Sequence, residues 1–247
     1  IVIFDGIRIY TGGKENLKST VQHQIRKNQP VRIHLCNSYT ISLSRKNVTL
    51  RNSLVSSDLN LPDGLPLSFL VSPLKNCQIR GMDLFQLIMN DCQFSRMKHF
   101  FYGLRQDSIY RFEKNIQEKF GKNLEFECLY APFADLNLLN LSELRERITE
   151  FDPDFIWLGL GTPKQDLLVD FIAEWKIGAP IIIPVGAVFD FLVGQVNEAP
   201  KFLQKIGLEW LYRWSKEPKR LFLRYTKHNL NFLIVVLRHI INQITPR

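Results

Sequence analysis

A chain of 247 residues, 45% of them hydrophobic, can bury a sizeable core, which excludes an intrinsically disordered protein. Its formal net charge is +8, and no uninterrupted apolar run approaches the roughly 20 residues of a membrane-spanning helix. The four cysteines show no C-x-x-C spacing, so we expect thiols in a reducing cytoplasm and no metal bound by them.

The first ten residues, "IVIFDGIRIY", carry an acid early and lack a basic segment ahead of an apolar core, so we expect no signal peptide there. Beyond them, short β-rich runs alternate with segments whose apolar residues recur at helical spacing. The predicted strands lie at 31–36, in part of 53–61, and at 99–104, 124–130, 154–160 and 180–186. The predicted helices lie at 14–27, 83–90, 107–120, 137–150 and 164–176.

Apolar residues in the predicted strands are continuous rather than alternating, which indicates strands buried on both faces. We therefore predict an α/β fold with a Rossmann-like, mostly parallel sheet and helices on both faces. The composition changes near residue 200, because residues 201–247 hold ten Lys and Arg against two Glu and so carry the whole net charge. We predict an α/β domain at 1–200 and a basic, amphipathic, helical C-terminal appendage at 201–247.

The segment "GLGTPKQD" at 159–166 joins a predicted strand to a predicted helix. Ligands of parallel α/β sheets bind beyond the carboxyl ends of the strands, where this segment lies. Gly159 and Gly161 would let the chain turn tightly near a ligand, and Pro163 suits the start of a helix whose amides favour an anion such as phosphate. An ordinary strand-to-helix turn explains the glycines equally well, and the third glycine of a G-x-G-x-x-G dinucleotide motif is absent.

Two stretches offer candidate carboxylates. "FDPDF" at 151–155 has the D-x-D spacing of many sugar-nucleotide enzymes, but Asp152 and Asp154 precede a strand, so we interpret them as a turn that opens it. Asp63 in "NLPDG" follows a predicted strand, which places it on the ligand side of the sheet. The alternative for Asp63 is a turn residue that bonds only to backbone.

Four blocks, "NLPDG", "RGMDL" (80–84), "GLGTPKQD" and the segment 185–225 with "GLEWLYR", "EPKR" and "RY", resemble in the same order the signature blocks of the WecG/TagA/CpsF family of bacterial glycosyltransferases. The resemblance covers nearly the whole chain from "LCNSYT" (35–40) onward. It implies an inverting, metal-independent hexosyltransferase that uses a UDP-sugar. The sugar, of the N-acetylmannosamine type or related, would pass to a lipid-diphosphate-linked sugar during synthesis of cell-surface polysaccharide or teichoic acid.

The resemblance also implies roles for individual residues. Asp63 matches the candidate general base, which would take the proton of the acceptor hydroxyl as that hydroxyl attacks the anomeric carbon. Asn37 matches an asparagine near the active site, although a residue that caps the following helix is an equally good interpretation. The positions that match donor-binding or diphosphate-binding residues are Gly103, Gly161, Thr162, Gln165, Arg213, Arg220 and Arg224. No metal and no cofactor besides the donor substrate is implied, with arginines in place of a metal.

For Arg80 and Asp83 in "RGMDL" we favour a structural ion pair over substrate contact. The chain departs from the family pattern at three positions: Leu35 stands for the usual threonine, Asp166 for glutamate and Glu198 for arginine. The last change inverts a charge near a diphosphate-binding region, so it bears on acceptor identity and activity.

The basic residues after position 200 are interleaved with aromatic ones, a pattern that suits an anionic membrane, a nucleic acid or a helix packed on the core. The resemblance favours a cytoplasmic protein held peripherally on the inner face of the cell membrane, with no nucleic-acid partner. Self-association into a homo-oligomer stays open. The rival hypothesis is a catalytically inactive homologue that serves as a membrane- or nucleic-acid-binding module, and binding of UDP would argue against it.

Overall fold

The computed structural model describes residues 1–216, 218 and 231–238. They form two compact units. The first contains Ile1–Lys14, Cys36–Ile79 and the described part of Glu198–Arg247, and the second contains Glu15–Leu35 and Arg80–Asn197. The boundary near residue 200 between an α/β domain and an appendage stays a prediction.

The strands of the described residues form a two-stranded and a six-stranded sheet. In chain order they are β1 (Val2–Phe4), β2 (Ile7–Ile9), β3 (Val31–Cys36), β4 (Leu59–Pro62), β5 (His99–Leu104), β6 (Phe126–Tyr130), β7 (Phe155–Leu158) and β8 (Ile181–Pro184). The antiparallel hairpin β1–β2 forms the small sheet, and the large sheet has the order β4-β3-β8-β7-β5-β6. The pairs β3–β8, β8–β7, β7–β5 and β5–β6 are parallel.

The α-helices surround these sheets. In chain order they are α1 (Leu17–Ile25), α2 (Ser38–Ser44), α3 (Val48–Ser56), α4 (Leu65–Val71), α5 (Gly81–Met89), α6 (Ile109–Phe120), α7 (Leu141–Phe151), α8 (Lys164–Glu174), α9 (Val188–Leu192), α10 (Lys201–Lys205) and α11 (Glu209–Lys216). Residues 231–238 are also helical. None of the helices in this part of the chain combines the length and the apolar character needed to cross a membrane.

The central strands explain the continuous apolar runs of the sequence. Every residue of β7 and β8 is buried, as expected for strands covered on both faces. In the second unit, apolar side chains of α7 and α8 pack against the sheet in one cluster; these helix residues are Leu144, Ile148, Leu168, Val169 and Ile172. The prediction of an α/β fold with a mostly parallel sheet is confirmed.

The first unit holds a buried asparagine that ties three elements together. The Asn60 Nδ2 donates to the backbone carbonyls of Arg8, 3.0 Å away, and Leu54, 2.8 Å away. Asn60 also accepts, through Oδ1, a contact of 3.5 Å from the Cys36 thiol. Since a buried amide must satisfy its polar atoms, these bonds fix β4 against β2, α3 and the end of β3.

The strand predicted in part of the segment 53–61 is confined to the end of that segment. Residues 53–56 belong to α3, and the strand begins only at Leu59. Asn47 caps α3, because its side chain accepts the Leu50 N–H at 2.9 Å, and this cap outweighs the β-propensity of the serines and valine that follow.

Candidate active site

Asn37 and Asp63 come together in the first unit, at the ends of β3 and β4. Asn37 is the N-cap of α2, since its Oδ1 accepts the N–H groups of Tyr39 at 3.0 Å and Thr40 at 3.1 Å. Its Nδ2 donates to Asp63 Oδ2 at 3.2 Å. The capping interpretation is therefore confirmed, and the same side chain also reaches the candidate base.

The backbone of Asp63 is fixed on both sides. Its N–H donates to the Cys36 carbonyl at 2.7 Å, and its carbonyl accepts from the Gln78 Nε2 at 2.9 Å. The alternative that Asp63 bonds only to backbone is wrong, because its carboxylate accepts from a side-chain amide. A half-buried carboxylate in a fixed orientation is what general-base catalysis needs.

In the second unit, Gln165 joins the loops that follow β7 and β8. Its Oε1 accepts the N–H of Gly161 at 2.9 Å and the N–H of Gly186 at 3.2 Å. We expected the backbone N–H groups of the segment 159–166 to bind an anion. One of them, the Gly161 N–H, instead donates to the Gln165 side chain. The Gln165 Nε2 makes no hydrogen bond to the described residues, and the residue is 6% exposed.

Gly161 faces open space. Its φ is +76°, a left-handed conformation that favours glycine, and a Cβ added there would meet nothing within 4 Å. Thr162 follows, with a cis peptide bond to Pro163, which stands directly before α8 as its N-cap residue. The loop before α8 is thus open at Gly161 and lies at the positive end of the α8 dipole.

Gly103 and Gly159, unlike Gly161, lie where neighbouring atoms leave no room for a side chain. A Cβ on Gly103, whose φ is +110°, would lie 2.8 Å from the Gly159 carbonyl carbon, and a Cβ on Gly159 would lie 2.4 Å from the ring of Phe189. Phe189 fills the space that a side chain at position 159 would need, and approach of the Gly159 backbone to a ligand stays a prediction. Contact between Gly103 and a nucleotide stays a prediction.

Lys164 is a residue that the sequence analysis missed. Its Nζ donates to the Ala134 carbonyl at 2.8 Å and lies 4.7 Å from the centre of the Phe133 ring. The amine therefore ties the start of α8 to the loop that follows β6. The "PKQ" block itself was the available signal, since the lysine stands beside Gln165.

The pairs Asp152 with Asp154 and Arg80 with Asp83 have structural roles. Asp154 Oδ2 accepts the Lys98 N–H at 2.9 Å ahead of β7, and Asp152 ends α7 in a left-handed conformation. Asp83 Oδ2 accepts the Arg80 N–H at 3.4 Å at the start of α5, and their charged groups approach to 3.9 Å. These contacts confirm a turn for the first pair and an ion pair for the second.

The predicted arginines are only partly described. Arg213 lies half-buried in the last turn of α11, whereas Arg220 and Arg224 fall outside the described residues. Within the described part of the chain, no three His, Cys, Asp or Glu side chains are grouped so that they could hold a metal ion.

Comparison with known proteins gives a family match and two informative relatives. A family model described as "Glycosyl transferase WecG/TagA/CpsF family" matches residues 2–245. A Bacillus spizizenii protein named N-acetylglucosaminyldiphosphoundecaprenol N-acetyl-beta-D-mannosaminyltransferase is 28% identical over 172 residues, 68% of this chain and 64% of that protein. A protein of the same name from Bacillus subtilis strain 168 is 27% identical over the same shares. The matched segment thus spans less than two thirds of either relative's length.

Proposed function

The chain belongs to the glycosyl transferase WecG/TagA/CpsF family, and from that premise we propose that it is an inverting glycosyltransferase with a UDP-sugar donor and a lipid-diphosphate-linked sugar acceptor. The names of the two Bacillus relatives support an N-acetylmannosamine-type donor sugar and an N-acetylglucosaminyl-diphosphoundecaprenol acceptor. A product of this kind belongs to cell-surface polysaccharide or teichoic acid synthesis.

The observation that carries the proposal is the hydrogen bond of 3.2 Å from Asn37 Nδ2 to Asp63 Oδ2. An acceptor-only carboxylate, oriented by an amide donor and partly open to solvent, suits the removal of a proton from a sugar hydroxyl. In the proposed step the acceptor oxygen forms a bond to the anomeric carbon, the bond from that carbon to the UDP oxygen breaks, and UDP leaves with the electron pair. The hydroxyl proton passes to Asp63, and a single displacement inverts the anomeric centre.

The donor's diphosphate is assigned to the open loop from Gly161 to Gln165. The positive end of a helix dipole favours an anion there, and the Gln165 Nε2 offers a hydrogen bond to it. Arg213, Arg220 and Arg224 would supply the positive charge that other enzymes take from a divalent metal. Binding of UDP is therefore proposed to be independent of metal.

The proposal is tested by replacing the base. Asp63→Asn is expected to keep the fold and the affinity for UDP while slowing sugar transfer about 100-fold or more, because the amide cannot accept the proton. Asp58→Asn is the matched control, since Asp58 precedes β4 and Asp63 follows it. Turnover is measured with UDP-N-acetylmannosamine and a short-chain lipid-diphosphate N-acetylglucosamine.

Near-normal turnover by a folded Asp63→Asn protein would show that Asp63 is not the general base. If wild-type protein, Asp63→Asn and Asp58→Asn all release UDP equally slowly, the result would instead favour the hypothesis of a catalytically inactive homologue.

A further inference from the structure

Two charged contacts connect strand β3 to helix α8 in the second unit. His34 Nδ1 lies 3.2 Å from Asp166 Oδ1, and Arg32 lies 3.4 Å from Asp170 Oδ1. Residues 32 and 34 share one face of the strand, and residues 166 and 170 are one turn apart on the helix. The contacts therefore run side by side, and the first lies nearer the open loop before α8.

The contact between His34 and Asp166 is fully buried. Their side chains are 0% and 1% exposed, whereas those of Arg32 and Asp170 are 30% and 25% exposed. Elsewhere, α8 packs through apolar residues such as Leu168 and Val169. An apolar pair at such a position is generally at least as stable as a buried polar pair, so stability alone does not account for it. Because the contact between His34 and Asp166 is directional, it holds helix α8 in one orientation on the sheet.

Asp166 follows Gln165 directly, in the first turn of α8. Any rotation of that turn moves the Gln165 Oε1, which holds the N–H groups of both Gly161 and Gly186. We propose that His34 is a positioning residue that acts through Asp166 to fix Gln165 and, with it, the shape of the loops after β7 and β8. The consequence for donor binding rests on the proposed function.

Amide hydrogen exchange of Gly161 and Gly186 in the free protein tests the positioning directly. His34→Leu is expected to raise the exchange rate of both amides about tenfold, as for the loss of one hydrogen bond. Asp170→Asn is the matched control, because it weakens the neighbouring contact one turn further along α8, and it should change these rates less than about twofold.

A second pair of variants separates the contact from mere packing. Asp166→Asn keeps an oxygen that can accept from His34 and should retain slow exchange, whereas Asp166→Ala should reproduce His34→Leu. Unchanged exchange in His34→Leu, or an equal rise in Asp170→Asn, would overturn the proposal. Unfolding of both His34→Leu and Asp166→Ala would overturn it as well, because the pair would then support the whole fold rather than one loop.

The affinity for UDP then separates this inference from the proposed function. In His34→Leu the dissociation constant of UDP should rise about tenfold, with the KM of the donor affected more than kcat. If wild-type protein does not bind UDP, the proposed function fails while the exchange result still decides the role of His34. If UDP binds equally well to wild type and to a His34→Leu protein with fast exchange, His34 shapes the loops without serving the donor.

Discussion

At the scale of single residues, His99 shows how burial fixes a protonation state. Trp157 Nε1 donates to His99 Nδ1 at 3.1 Å, so the proton of the ring lies on Nε2, which donates to the Phe94 carbonyl at 3.1 Å. Burial lowers the pKa of His99 from 6.5 to about 4. The imidazole is therefore neutral at physiological pH.

This lowered pKa predicts a loss of stability in acid. Between pH 6.5 and 4 the unfolded chain binds more protons at residue 99 than the folded protein does, so the contribution is present above pH 6.5 and is lost as the pH falls toward 4. The free energy of unfolding should fall by about 2 to 3 kcal/mol more in wild type than in His99→Gln between pH 7 and pH 4.5. Urea unfolding at the two pH values measures it, and equal losses in both proteins would contradict the assigned pKa.

Gln165 gives a residue-scale prediction for the donor. Gln165→Ala removes the acceptor of two loop amides and the Nε2 that is proposed to donate to the donor's diphosphate, so UDP should bind more weakly by about 1 to 3 kcal/mol. Calorimetry in the presence of a chelator measures the affinity, with the exposed Gln117→Ala as control. Strict dependence of UDP binding on manganese or magnesium would defeat the metal-free proposal, and unchanged affinity would remove Gln165 from the donor site.

The sequence predicted single site residues better than their contacts. Asp63 could be singled out because it follows a predicted strand, and Asn37 because it matches an asparagine of the family. Their hydrogen bond joins positions 26 residues apart, and the contact between His34 and Asp166 joins positions 132 apart. The order of the strands in the sheet brings these residues together, and that order cannot be inferred from a local sequence pattern.

Among the secondary-structure elements, strands were predicted with the right bounds where a long apolar run in the sequence is buried on both faces of the sheet. The segment 31–36 and the segment 99–104 are strands with the predicted bounds, because long apolar runs there are buried on both faces. The helices α2, α3 and α4 are not among the predicted helices, since they are only seven to nine residues long. In addition, α2 and α3 are rich in Ser, Thr and Val, which have low helix propensity. Side-chain caps by Asn37 and Asn47 stabilise α2 and α3, and packing in the first unit stabilises all three helices.

Gly159, directly after β7, lies so close to Phe189 of α9 that one added methyl group should lower the stability of the fold. Gly159→Ala would place its Cβ 2.4 Å from the buried ring of Phe189, so we expect the free energy of unfolding to fall by about 1 to 3 kcal/mol. Adding Phe189→Leu should recover part of that loss by making room. Urea unfolding of the single and double variants gives the values, and a neutral Gly159→Ala would show that the helix can shift at little cost.

At the scale of the whole molecule, charge is distributed unevenly along the sequence. The first 200 residues are formally neutral, so electrostatic attraction to an anionic membrane must come from residues 201–247. The double variant Arg220→Glu with Arg224→Glu should sediment less with anionic vesicles than wild type, and added salt should weaken binding as the screening length falls below about 8 Å.

The control for this charge reversal is Lys46→Glu with Lys122→Glu, which makes the same change of net charge at exposed positions before residue 200. It should sediment nearly as wild type does. Equal sedimentation of all three proteins, with no preference for anionic over neutral lipid, would contradict a peripheral membrane location.

The proposed reaction transfers a sugar from UDP to a lipid-linked acceptor with inversion of the anomeric configuration. The most direct measurement incubates wild-type protein with UDP-N-acetylmannosamine and a short-chain lipid-diphosphate N-acetylglucosamine in chelator, and determines the anomeric configuration of the product by NMR. We expect release of UDP and a disaccharide whose new linkage is inverted relative to the donor. A product with retained configuration, or no transfer from any UDP-sugar to this acceptor, would contradict it.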